Sequence, residues 1–224
     1  MSNPDQLPLG LALNAGQGID DLVVSHVNRD AVTFINSWPN WPVPIVILAG
    51  PVGVGKSHLA AIWAERAAAA TLQPSGDLAP EPEDSGANFV VEDIGPGNFD
   101  ETALFHLINN VRAHGGNLLL TSRTWPGNWG MELPDLTSRM KLARLIELSE
   151  PDDLLLRGVM TKLFADRQLD VDGTVIDYMV LRMERSLACA QDLVTRLDDL
   201  SMAQKRAITK PLAAEALRQL GLQE

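Results

Sequence analysis

Cysteine is nearly absent from this chain of 224 residues. Its single thiol, Cys189, cannot close an internal disulfide and has no metal-ligand companions, which points to a small core residue in a reducing compartment. Long hydrophobic runs are lacking too. The longest, VPIVILAG and NLLLTS, are strand-sized, far below the ~20 residues a helix needs to cross a bilayer, so no membrane span is expected. The first residues lack the basic-then-apolar order of a secretory signal, and a cytoplasmic location is expected. Basic charge is scarce: 18 Lys and Arg stand against 29 Asp and Glu, giving a formal net charge of −11. Nucleic-acid binders displace counterions with clustered Lys and Arg, and no run of either occurs here. Strong direct DNA binding is therefore disfavoured, although a local patch on an acidic protein stays open.

What the chain does contain is a phosphate loop. GPVGVGKS, from Gly50 to Ser57, satisfies G-x-x-x-x-G-K-[ST] at every defined position. The apolar, β-branched run VPIVILA precedes it and reads as a strand buried on both faces. SHLAAIWAERAAAA follows, alanine-rich with Leu59, Ile62 and Trp63 at helical spacing. Strand, glycine loop and helix thus come in the order that turns backbone N–H groups toward phosphate oxygens. The loop residues Gly50, Pro51, Val52, Gly53, Val54, Gly55, Lys56, Ser57 and His58 are the candidate nucleotide contacts. Lys56 would reach the β- and γ-phosphates, and Ser57 would ligate Mg²⁺.

NFVVEDIG is a second buried-strand pattern, ending in Glu92 and Asp93. In nucleoside-triphosphatases such a pair divides the work, one carboxylate holding Mg²⁺ and the other orienting the attacking water. Glu92 is taken as the second magnesium ligand, although the usual order is Asp first. Two solvated acids at a strand end are the plainer alternative. Asp100 can cap the helix ETALFHLINNVRAHGG, with Leu104, Leu107, Ile108 and Val111 on one face and Gly115 at its end. NLLLTSR is a third buried strand whose terminal Thr121 and Ser122 would lie near the γ-phosphate. RLIEL is a fourth. From Pro151 the pattern is helical, with Asp152, Asp172, Ser186 and Thr209 as candidate caps and Pro211 in a first turn.

Near the start, QLPLGL sets apolar residues on a tail, where chain ends are ordinarily polar. It reads either as a buried edge strand or as a lure for a partner.

Taken in order, IDDLVVSHVNRDAV, the phosphate loop, VVEDI, LLLTSR, PDLTSRM and MERSLACAQDLVTRLD resemble the AAA+ module of the DnaA/Hda family over about positions 19 to 220. The likeness is closer to the shortened Hda branch, the regulatory inactivators of DnaA. The resemblance implies an α/β P-loop NTPase domain with a parallel sheet over 16–149. A small all-helical lid would cover 150–224, and a flexible tail 1–15. It implies ATP or ADP with Mg²⁺ as ligands, and the backbone of Val23 and Val24 lining the adenine pocket. It makes Arg139 an arginine finger acting in trans and Arg185 a sensor reaching the phosphates of its own nucleotide, with surface salt bridges as the alternative for both. The tail would carry a Q-L-x-L-x-L peptide, Gln6, Leu7, Leu9 and Leu11, that docks on the DNA polymerase sliding clamp.

The implied function is an adaptor with weak intrinsic ATPase activity, acting mainly in trans on DnaA-bound ATP, with DnaA and the clamp as partners. The resemblance stops before the DNA-binding domain of DnaA, which implies a regulator of initiation. A homodimer stays open. So do a helicase-loader or transposition-helper ATPase, and a binding module in which nucleotide only holds two domains together. Two departures from the family pattern stand out: the reversed Glu92-Asp93 pair, and TLQPSGDLAPEPEDSGA where an additional strand and helix are expected. The Pro- and Ser-rich stretch reads as a loop that leaves at most a strand remnant near Leu72.

Overall fold

The computed structural model describes residues 22–76, 78 and 86–222. The QLPLGL segment and the centre of the Pro-rich stretch lie outside the described residues. Helix α1 (Arg29–Asn36) leads to strand β1 (Ile45–Ala49), which the phosphate loop joins to α2 (Lys56–Ala67). Then come β2 (Ala70–Leu72), β3 (Phe89–Val91), α3 (Glu101–His114), β4 (Leu118–Ser122), α4 (Pro134–Met140) and β5 (Arg144–Glu147). Four helices complete the chain: α5 (Asp153–Asp166), α6 (Gly173–Val180), α7 (Leu187–Gln204) and α8 (Lys210–Gln219).

The five strands form one sheet in the order β2-β3-β4-β1-β5, with every pair parallel. Parallel strands need crossovers on both faces, and this is why these strands are continuously apolar rather than alternating. Alternation appears instead in what each side chain meets. Ile45 and Ile47 of β1 join Leu118 and Leu120 of β4 and Leu104, Leu107 and Ile108 of α3. Val46 and Leu48 point the other way, with Leu119, Leu59, Trp63 and Ile35. On that second face Trp63, fully buried, stacks on Trp41 with centroids 4.9 Å apart and receives the edge of Trp38 at 6.4 Å.

Local sequence explains most element ends. The Asp100 carboxylate accepts from the Ala103 N–H to start α3, and Gly115, at φ +83°, ends it. Asp152, Asp172 and Ser186 likewise accept from the backbone to open α5, α6 and α7. Thr209 occupies the cap position of α8 but its side chain makes no capping bond. Pro211 in the first turn fixes φ there without a cap.

The alanine run behaves differently from its propensity. α2 stops at Ala67, Ala68 turns left-handed, and Ala70 opens β2 by pairing with Phe89. The edge pairing outweighs the helical preference of alanine, and the strand remnant near Leu72 is thereby a three-residue sheet edge. The four last helices bury their own core of Leu156, Met160, Phe164, Met179, Leu193 and Leu212, with Cys189 packed partly buried against it. No helix among the described residues is long and apolar enough to cross a membrane.

Candidate nucleotide-binding site

The phosphate loop leaves the C-terminal end of β1, where a parallel sheet opens a crevice. The Lys56 side chain is 8% exposed. Its ammonium donates to the carbonyls of Gly50 at 2.7 Å and Pro51 at 2.6 Å. Burial is the main reason its pKa falls below the ordinary 10.5; neighbouring Asp93 opposes the shift and Arg123 adds to it. The Ser57 side chain is exposed and lines the same cavity.

Above the loop lies a cavity of about 710 Å³ between the α/β layers and the lid. Its phosphate end is formed by residues 52–58, Asp93, Thr121 and Arg123. Its other walls are Leu22, Val23 and Asn28 from the segment before α1, and Leu155, Val159 and Leu163 from α5. Lys162, Asp166, Arg167, Gln191, Asp192 and Thr195 give the lid side its polar character. His58 faces this side; burial and then the Lys162 ammonium lower its pKa, so the imidazole is neutral at pH 7.

Two glycines let the lid close on this site. Leu187, the first residue of α7, donates its N–H to the Gly53 carbonyl at 2.7 Å. Gly53 has φ +77°, and a Cβ there would stand 2.0 Å from the Ser186 hydroxyl oxygen. On α5, a Cβ at Gly158 would lie 2.8 Å from a Val23 methyl, so its absence admits the segment before α1 to the helix. That segment is shaped by buried Asn28, which accepts from the Ser25 N–H at 2.8 Å and donates to the Val23 carbonyl at 2.9 Å. Gly53→Ala should therefore displace the Ser186 cap and strain the loop, lowering stability by about 2 kcal/mol. Urea unfolding would measure this, and Ser186→Gly in the same chain should restore part of it. An unchanged midpoint in Gly53→Ala would remove the docking contact as described.

The carboxylate pair is resolved by the backbone. β3 ends at Val91, and Asp93 takes a left-handed φ of +55°. Its N–H donates to Thr121 Oγ1 at 2.9 Å and its carbonyl accepts from Asn98 Nδ2 at 2.8 Å. This turn brings Asp93 to the cavity wall, whereas Glu92, half-buried, is not part of the lining. Of the two carboxylates it is thus Asp93 that lines the cavity, where Glu92 was expected. Ser122 is also placed differently from expectation: fully buried, it accepts from Trp129 Nε1 at 3.1 Å and donates to the Thr124 carbonyl at 2.8 Å. Its hydroxyl is engaged in packing the strand end, and only Thr121 of the two lines the cavity.

Arg185 does not reach the phosphate end. It precedes the Ser186 cap and turns outward to Asp153, 2.8 Å away, with both side chains 54% exposed. Leu187, Ala188 and Gln191 of α7 line the cavity in its place. Val24, 49% exposed, is outside the lining that contains its neighbour Val23. Arg139 lies on α4, away from the cavity, beside a separate surface hollow with Phe105, Asp135, Ser138 and Leu142. Its side chain has no hydrogen bond or ion pair among the described residues. Arg123 and Asn28 are site residues that motif reading passes over. Arg123 directly follows LLLTS, and that adjacency was the available signal.

Residues 158–217 match the family model described as the lid domain of Hda. The solved structure of domain III of the Thermotoga maritima replication initiation protein DnaA superposes with a TM-score of 0.76 at 15% identity, covering 91% of this chain and 96% of that one. AMPPCP-bound DnaA from Aquifex aeolicus gives a TM-score of 0.71 at 16% identity over 92% of this chain and 69% of that one. The Thermotoga maritima RuvB Holliday junction branch migration motor gives 0.69 at 18%, over 94% and 76%. The chain therefore has the fold of these structures, a parallel five-stranded core behind a phosphate loop, and its residues 158–217 are similar to the lid domain of Hda.

Proposed function

We propose that this chain is an Hda-like adaptor that holds an adenine nucleotide between phosphate loop and lid and promotes hydrolysis of ATP on DnaA. The observation that carries the nucleotide reading is the buried Lys56 ammonium. Its two protein partners among the described residues are neutral carbonyls of its own loop, at the floor of a cavity large enough for a nucleotide. Such a charge, taken from water, is held in readiness for an anion.

The residues present fit the group. Gly53 and Gly55, both at positive φ, curl the loop as side-chain-bearing residues rarely do, and the loop leads into the N-terminus of α2, whose dipole favours phosphate. Among the described residues no three His, Cys, Asp or Glu gather as a metal cage. That suits Mg²⁺, which takes one or two protein oxygens and completes its shell from phosphate and water. Ser57 and Asp93 would be those oxygens. When bound, magnesium neutralises charge on the β- and γ-phosphate oxygens. Lys56 and the loop amides orient the phosphates, Leu22, Val23 and Leu163 face the base, and the lid excludes water.

Arg139 supports the trans assignment because it stands outside its own chain's cavity, half-buried beside a separate surface hollow, with no side-chain partner among the described residues. A guanidinium so placed can enter a neighbour's site and stabilise the charge of phosphoryl transfer. Gln6, Leu7, Leu9 and Leu11 remain the proposed clamp-docking peptide, on the resemblance of their sequence to the Hda tail alone. In an assay of DnaA-bound ATP with DNA-loaded clamp, Arg139→Ala should slow stimulated hydrolysis by about 1000-fold. Deleting residues 1–12 should abolish clamp binding in the same assay while nucleotide affinity stays unchanged. Undiminished hydrolysis with Arg139→Ala would remove the trans mechanism.

A further inference from the structure

We propose that Arg123 is a positioning residue that masks Asp93 and releases it to magnesium when a nucleotide polyphosphate enters the cavity. The inference rests on the nucleotide reading above. Arg123 directs Nε to Asp93 Oδ1 at 2.8 Å and Nη2 to Oδ2 at 2.6 Å. Both carboxylate oxygens are thereby engaged by one planar fork. A carboxylate so engaged is a weak ligand for a hard cation, because the cation must displace two charge-assisted bonds.

Arg123 is not needed to aim Asp93 at the cavity. The Thr121 hydroxyl and the Asn98 amide already fix the Asp93 backbone from either side. What the guanidinium adds is charge cancellation. The pair is also poised for exchange: the side chains are 62% and 51% exposed, and ion pairs in contact with water are weakly held. Both residues line the cavity with Lys56, so a polyphosphate on the loop offers Arg123 an acceptor of higher charge in the same space. Turning to it uncovers Asp93 in the same cavity that the Ser57 side chain lines, the other oxygen proposed for magnesium. Phosphate and metal then bind as coupled events through one ion pair.

Calorimetry with ADP, in magnesium and in EDTA, tests the coupling without reference to hydrolysis. Arg123→Gln should weaken ADP about tenfold in EDTA, where a phosphate contact is lost and Asp93 is unmasked. In magnesium the same variant should stay within about threefold of the parent, so the magnesium effect grows. Asp93→Asn should do the reverse, tightening ADP in EDTA and abolishing the magnesium effect. The double variant should show the two changes failing to add. Equal weakening of Arg123→Gln in both conditions, or no change in either, overturns the proposal. If Arg123→Gln does not fold, Asp93→Asn decides alone: unchanged affinity in EDTA overturns it. A parent that binds no ADP in either condition defeats the nucleotide reading instead, so the two failures are distinguishable.

Discussion

Lys56→Ala is expected to weaken ADP and ATP binding at least about 100-fold, the loss that follows from removing roughly 3 kcal/mol of charge-assisted contact to phosphate. The ammonium is buried, and its two protein acceptors among the described residues are loop carbonyls. Without nucleotide it is a desolvated charge, so the same substitution should leave the nucleotide-free melting temperature unchanged or higher. Opposite signs for affinity and stability distinguish a ligand-directed lysine from a structural one. Titration calorimetry and thermal melts of the parent and variant measure both. An affinity within threefold of the parent would remove Lys56 from the binding machinery.

The pH dependence has the same origin. Burial lowers the Lys56 pKa below 10.5, so the free site loses its charge at a lower pH than an exposed lysine would. Bound phosphate favours the charged form and raises the pKa. Nucleotide affinity should therefore fall as pH climbs through the free-site pKa and level off above the bound-site value.

Trp63→Ala should produce the largest loss of stability, about 3 to 5 kcal/mol. Trp63 is 0% exposed, lies on α2, and packs against the second sheet face between Trp38 and Trp41. Removing it opens a cavity under the helix whose first residue is Lys56. The melting temperature should drop on the order of 10 °C for a chain of this size. Trp125→Ala, at a side chain 45% exposed, should change stability by less than about 0.5 kcal/mol. Denaturant unfolding followed by circular dichroism would compare them. Similar midpoints for the two variants would contradict the packing described here. Saturating nucleotide should recover part of the Trp63→Ala loss, because binding to the folded state alone raises its stability.

Much of the fold was legible because its determinants are local or periodic. The buried strands are apolar throughout, as parallel strands covered on both faces must be. Asp100, Asp152, Asp172 and Ser186 cap helices because a short acceptor beside the first turn can reach a free N–H whatever lies further away. The misplaced end of α2 shows the limit of that reasoning. Alanine favours helix, but Ala70 meets Phe89 on the sheet edge, and a partner 19 residues further along the chain leaves no trace in local preference.

The site divides the same way. GPVGVGKS specifies its own geometry, since glycine spacing, lysine reach and helix start are all within eight residues. The sequence pattern assigned magnesium to Glu92, whereas Asp93 lines the cavity, because that placement depends on where β3 stops and on Thr121, 28 residues away, receiving the Asp93 N–H. Ser122 and Arg185 carried suitable chemistry at suitable positions, yet Trp129 and Asp153 engage them.

The amino-acid order by itself determined a phosphate loop between a buried strand and a helix, an α/β layer followed by a helical lid, and an acidic chain poor in basic clusters. Those features follow from backbone geometry and hydrophobic period, which neighbours in sequence set among themselves. Only the tertiary structure decided which carboxylate faces the cavity, that Arg123 covers it, and that the lid rests on Gly53 through Leu187. Those are meetings of residues distant in sequence, and a side chain's direction there is fixed by what packs against it.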